Sequence, residues 1–68
     1  MICPLCEQGG ICVATIKRTE TQIFICEECD AIWDNNVIKS ETALTFENYM
    51  TSMDLPPLWS ELTNISYL

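Results

Sequence analysis

Histidine is absent from this chain, and three basic residues stand against ten acidic ones. Without histidine the commonest general base at neutral pH is missing. Only two glycines occur, side by side at Gly9 and Gly10, so there is no glycine-rich phosphate loop. The acidic residues are dispersed and form no close pair in an apolar setting that divides acid and base duties. These absences point away from an enzyme. Apolar runs end after a handful of residues, far short of the ~20 a membrane-spanning helix needs. A formal net charge of −7 repels phosphate backbones, and only Lys17, Arg18 and Lys39 offset it. Neither a nucleic acid nor a membrane is expected as a partner.

What the chain does have is cysteine, five of them in 68 residues. A domain this short buries too little apolar surface to offset its conformational entropy comfortably, so a staple is expected. The cysteine spacing says which kind. Two Cys-x-x-Cys pairs, "CPLC" and "CEEC", are separated by residues 7 to 25, the paired-knuckle spacing of a zinc site. Two residues between paired cysteines let both sulfurs converge on one ion while backbone N–H groups point at the sulfurs. Cys3, Cys6, Cys26 and Cys29 are thus the expected ligands of one Zn²⁺. Four thiolates close all four tetrahedral positions, so the ion is expected to be structural rather than catalytic.

The odd cysteine count and the first ligand at residue 3 argue against a secreted, fully oxidised chain with a leader. A reducing cytoplasm is the expected location. Glu27, Glu28 and Asp30 surround the second knuckle, an electronegative setting that disfavours a redox-active thiolate. Cys12, between Ile11 and Val13, reads as a buried small hydrophobe.

All cysteines and both glycines fall before residue 39. There, Gly9-Gly10 provides a sharp turn, and Ile11 to Ile16 and Gln22 to Cys26 read as two strands of a hairpin joined by Lys17 to Thr21. Ala31 to Asp34 reads as a third strand, with a turn at Asn35-Asn36 and a short extension over residues 37–39. From residue 40 the pattern becomes helical. Ser40 or Thr42 is the expected cap, Glu41 lies in the first turn, and Ala43, Phe46, Met50 and Met53 share a face. Leu55-Pro56-Pro57 stops that helix, and Pro57 can open a second over "LWSELTN", with Leu58, Leu62 and Ile65 as its stripe. The expected fold is a small metal-bound α+β domain spanning residues 1–68. It comprises a ribbon of about three antiparallel strands (1–38) and a C-terminal extension of one or two helices (40–68).

The segment "CPLC…CEECDAIW" resembles the bacterial zinc-ribbon superfamily over roughly residues 1 to 38. The resemblance implies Cys3, Cys6, Cys26 and Cys29 as ligands and places Trp33 against the sheet beside the metal. Two such knuckles also build rubredoxin-like iron sites. Those usually carry glycine soon after each second cysteine, where this chain has Glu7 and Asp30. A very small, acidic, metal-stapled domain also looks like the stand-alone inhibitors and immunity proteins of bacteria, an analogy of architecture.

The leading expectation is therefore a non-enzymatic protein-binding module, an immunity-type inhibitor of a basic partner. Trp59 and Tyr49, with Glu47, Asp54 and Glu61, are its candidate contacts, since aromatic anchors bury large areas at low entropic cost. Phe46 and Tyr67 add to an aromatic content beyond a small ribbon's needs, although a second core would use the same side chains. The alternatives are an accessory factor of transcription or RNA processing, working through Lys17 and Arg18 at the hairpin tip, and a rubredoxin-like iron electron carrier. Fluorescence anisotropy with labelled RNA and DNA is expected to show no binding, or binding insensitive to salt. A micromolar affinity that falls steeply with added salt overturns that expectation.

Overall fold

A computed structural model describes residues 1–68. Five strands form one antiparallel sheet: β1 (Ile11–Ile16), β2 (Thr21–Cys26), β3 (Ala31–Trp33), β4 (Leu44–Thr45) and β5 (Leu62–Tyr67). Their spatial order is β4-β3-β2-β1-β5. A single α-helix, α1 (Phe46–Thr51), and single 3-10 turns at Ser40–Thr42 and Trp59–Glu61 complete the secondary structure. No helix is long and apolar enough to cross a membrane.

The central hairpin forms where the β-branched runs predict it, with Ile11 opposite Cys26 and Ile16 opposite Thr21. Side chains alternate across the sheet, so each strand serves two cores. Cys12, Ala14, Ile16, Ile23, Ile25 and Ile32 face one core with Phe46, Met50, Leu55 and Leu62. Cys3, Ile11, Cys26, Ala31 and Trp33 form the other, with Phe24, Ile38 and Ala43 packed against it. The second core contains two of the four knuckle sulfurs, so metal site and apolar packing share residues. Trp33, buried beside them, donates its indole N–H to the Lys39 carbonyl at 2.9 Å. That bond holds the 34–39 loop over this face.

Residues beyond 40 depart from the helical reading. Ala43 leaves the helical region at ψ 135° and the chain pairs with β3, setting Leu44 against Ile32 and Thr45 against Ala31. Pairing with an otherwise open strand edge satisfies backbone groups that a helix starting at residue 40 or 42 would leave unused. The helix cap is consequently Thr45, whose hydroxyl accepts from the Asn48 N–H at 3.2 Å. Phe46 and Met50 keep the shared face and are buried; Ala43 joins the other core instead.

The helix also ends before the prolines. Asp54, in the left-handed region at φ 58°, donates to Thr51 O, and Leu55 donates to Met50 O, both at 3.0 Å. These paired bonds make a Schellman motif, and Leu55 and Met50 meet in the core as that motif favours.

The second expected helix does not form. One 3-10 turn leads into β5, which pairs antiparallel with β1. Leu62 and Ile65 fit a helical stripe by spacing, but Thr63, Ile65 and Tyr67 also fit a strand, and the open edge of β1 decides the outcome. A bulge between Val13 and Thr15 accommodates Asn64 at φ 54°. Leu58 and Ile65, expected to be sheltered, are exposed. Five strands thus stand where about three were expected, with one short helix at the lower bound of the one or two expected.

Met50 is fully buried where α1 meets the sheet. Met50→Ala is expected to cost about 2–5 kcal/mol of stability in a denaturant titration of the metal-loaded protein. A loss below about 1 kcal/mol contradicts this packing.

Candidate metal centre

The two knuckles meet at the open end of the hairpin, one before β1 and one after β2. Cys3 and Cys6 lie in the loop before β1, which is pinned by Cys3 N–H donating to Gly9 O at 2.9 Å and by Ile11 N–H donating to Met1 O at 2.9 Å. Cys26 is the last residue of β2, and Cys29 lies in the tight turn to β3. Because Ile11 opposes Cys26 in the β1–β2 register, the chain leaving the first knuckle arrives beside the second.

Glu7 and Asp30, each directly after a second knuckle cysteine, adopt the left-handed region at φ 58° and 59°. They are the two positions where glycine is commonest in such knuckles, and the same backbone path is made here without it. Left-handed geometry costs an L-residue roughly 1–2 kcal/mol, which the surrounding bonds must offset. Asp30 is bonded on both sides: its carbonyl accepts from Phe46 N–H at 3.0 Å and its Oδ1 from the Trp59 indole at 3.3 Å.

The glycines act differently from the expected turn, since neither has positive φ. A Cβ on Gly9 would stand 2.7 Å from the Glu28 side chain and 2.8 Å from Cys26 Sγ. Glycine is needed because the backbone passes directly under a ligand sulfur. On Gly10 a Cβ would meet Glu27 Oε2 at 2.9 Å.

The four sulfurs lie within 4.8 Å of one another. Cys3 Sγ is 3.8 Å from Cys29 Sγ, and Cys6 Sγ is 3.6 Å from Cys26 Sγ. A Zn–S distance of ~2.3 Å gives a tetrahedral S···S edge of about 3.8 Å, so the donor set fits such an ion. Backbone N–H groups point at the sulfurs: Leu5 at Cys3 (3.4 Å), and Glu28 and Cys29 at Cys26 (3.4 and 3.5 Å). Turn amides aimed at sulfur stabilise thiolate and orient the ligand.

The thiols are not equivalent. Backbone N–H groups of Gln8 and Gly9 lower Cys6 to about 6. Burial raises Cys26, and burial together with the neighbouring sulfurs pushes Cys29 up to about 12. Four thiolates this close repel one another, so full ionisation of the cluster requires a cation at its centre. Cys12 lies in the core on the other face of the sheet, where burial first and Glu27 second raise its thiol.

The proposed contact residues are not gathered into one surface. Glu47 lines a hollow of about 240 Å³ with Cys29, Asp30, Thr45, Phe46 and Pro57. Trp59 is half-buried nearby, its ring edge-on to Phe46 with centroids 6.3 Å apart. Tyr49 lies in a separate groove with Ala43, Leu44, Asn48 and Ser52. Asp54 belongs to the end of α1, and Glu61 sits 3.9 Å from Arg18 at the hairpin tip. Tyr67 is exposed, with its hydroxyl donating to Glu27 at 3.1 Å. Sequence spacing alone did not reveal the hollow beside Cys29. It forms from the Asp30 turn and the start of α1, which are held together by the Phe46–Asp30 backbone bond.

No protein-family model, curated protein or solved structure matches the chain. The four-cysteine cluster can hold a metal ion, and the fold around it is a small α+β one. Chelation under reducing conditions is expected to abolish the near-ultraviolet circular dichroism of buried Trp33, and metal replacement to restore it. A spectrum unchanged by complete metal removal would show that the two cores stand without the ion.

Proposed function

We propose that the chain is a zinc-ribbon-type module in which Cys3, Cys6, Cys26 and Cys29 hold one structural Zn²⁺. On this reading it binds a basic protein partner as a non-enzymatic, immunity-type inhibitor. The observation that carries the metal half is the closed set of four sulfurs at tetrahedral spacing. With every position taken by protein, a bound zinc polarises no substrate and activates no water; it fixes the two knuckles relative to each other. Metal binding of this kind contributes about 10–16 kcal/mol in small zinc domains.

The partner half rests on electrostatics. Ten carboxylates against three basic side chains attract a cationic protein and repel phosphate. A tetrathiolate zinc centre adds a further charge of about −2 on the same molecule. A reducing, cytoplasmic setting goes with the reading, since the ligands must remain thiolates.

Native mass spectrometry of the protein gently purified from its own host tests both halves. One zinc per chain with a stoichiometric basic partner, released as salt is raised, is the expected spectrum. Iron in place of zinc moves the reading to an electron carrier, and the protein is then coloured. A partner that is acidic, or one that stays bound at high salt, removes the electrostatic argument.

A further inference from the structure

β4 is the outermost strand on its side of the sheet and pairs only with β3. Beside it runs a groove of about 380 Å³, walled by Ala43, Leu44 and Thr45 and, from α1 and its cap, by Asn48, Tyr49 and Ser52. No lining side chain carries a charge. Leu44 opposes buried Ile32 in the β3–β4 register, yet neither core covers it and it is left 45% exposed.

Thr45 is a wall shared by two spaces. It also lines the hollow that holds Asp30 and Glu47, so an apolar groove and an acidic hollow meet across one side chain. The Phe46–Asp30 backbone bond and the Thr45 cap on the Asn48 N–H fix that wall in place. The Trp59 indole holds one oxygen of Asp30, which orients the carboxylate. A third carboxylate, Asp34, lies near the groove: burial first and this charge second hold the Tyr49 phenol above its ordinary value. None of the three cations lines either space, and Arg18 stands beside Glu61 at the hairpin tip.

We propose that the groove and hollow on either side of Thr45 form one docking surface for an extended segment of the basic partner. An apolar side chain of that segment enters the groove, and a neighbouring lysine or arginine enters the hollow. The inference rests on the partner reading above and adds where the partner lies. Charge complementarity selects this occupant. A cation between Asp30 and Glu47 meets two carboxylates and no competing basic group. The apolar contact covers Leu44 and Tyr49 and supplies the burial that charge alone lacks. The edge position of β4 suits an extended segment, which pairs along open strands. A nucleic acid meets the same carboxylates with the wrong sign. A second copy of this chain brings ten carboxylates against three basic side chains, so it fits the surface poorly.

The test titrates the full metal-loaded chain, labelled with nitrogen-15, with the capped peptide Gly-Ser-Leu-Lys-Lys-Ser-Gly. One control peptide has serine for the leucine and another has glutamate for both lysines. The largest amide shift changes are expected at Leu44, Thr45, Glu47, Asn48 and Tyr49, with either control binding at least about fivefold more weakly. Changes centred on β5 or the hairpin tip, equal binding of the serine control, or no saturable change overturns the proposal.

Glu47→Lys tests the hollow with the groove and all four cysteines intact. Its preference for the lysine peptide over the glutamate peptide is expected to fall about tenfold or more, and an unchanged preference overturns the hollow's role. In the complex with the host partner, Leu44→Arg alters a side chain that neither core uses and is expected to weaken binding about tenfold. A basic partner held equally well by Leu44→Arg overturns the docking surface and leaves the partner reading in force. An acidic host partner ends that reading instead, and the peptide map still decides whether this surface takes a basic segment.

Discussion

Two short loops, one before β1 and one between β2 and β3, must bring four sulfurs to within 4.8 Å of one another. Every other feature of the molecule serves or follows from that convergence. The hairpin register delivers Cys26 opposite Ile11, and Gly9 lets the backbone pass beneath the Cys26 sulfur where a methyl group would collide. Glu7 and Asp30 turn sharply in the left-handed region so that each second cysteine points inward. A cation held by the four sulfurs would join these two left-handed turns. Cys3 and Cys26 belong to the apolar cluster of Ile11, Ala31 and Trp33, so a bound ion and hydrophobic packing would reinforce one another.

The other face depends on the metal less directly. Ile16, Ile23, Ile25 and Ile32 form an apolar surface that a three-stranded ribbon would leave in water. Phe46, Met50, Leu55 and Leu62 cover it, brought there by two added strands and a six-residue helix. Edge pairing and core covering are achieved by the same segment, which fits the small amount of burial open to a chain of this size. Trp59 joins the two halves, with its ring against Phe46 and its N–H on Asp30 beside Cys29. A side chain considered as a partner anchor thus also has structural work beside the metal.

Charge gives the protein its outward character. The carboxylates are on the surface and no charged side chain is buried. Two of them, Asp30 and Glu47, line one hollow with Cys29. The same electronegativity attracts cations and repels anions at long range.

The metal centre and the central hairpin were legible in the residues. Paired knuckle spacing names its four cysteines because two residues between thiols suit one ion, and β-branched runs name β1 and β2 because their pattern is local. Burial of Cys12 followed from its apolar neighbours, and that of Trp33 from the ribbon resemblance. The C-terminal third was not legible. Residues 40–68 carry spacings that suit a helix and a strand almost equally, and the unpaired edges of β3 and β1 resolve the choice for β4 and β5. Those edges exist only once the ribbon has folded. The Thr45 cap, the Schellman end at Asp54, the need for Gly9 and the hollow at Cys29 are likewise consequences of close approach between segments far apart in the chain. Sequence by itself determined the four clustered cysteines and the hairpin, through short-range spacing. Tertiary structure alone decided what the tail becomes and which ligand faces solvent, because hydrogen-bond partners and steric walls supplied by distant residues outweigh weak local preference.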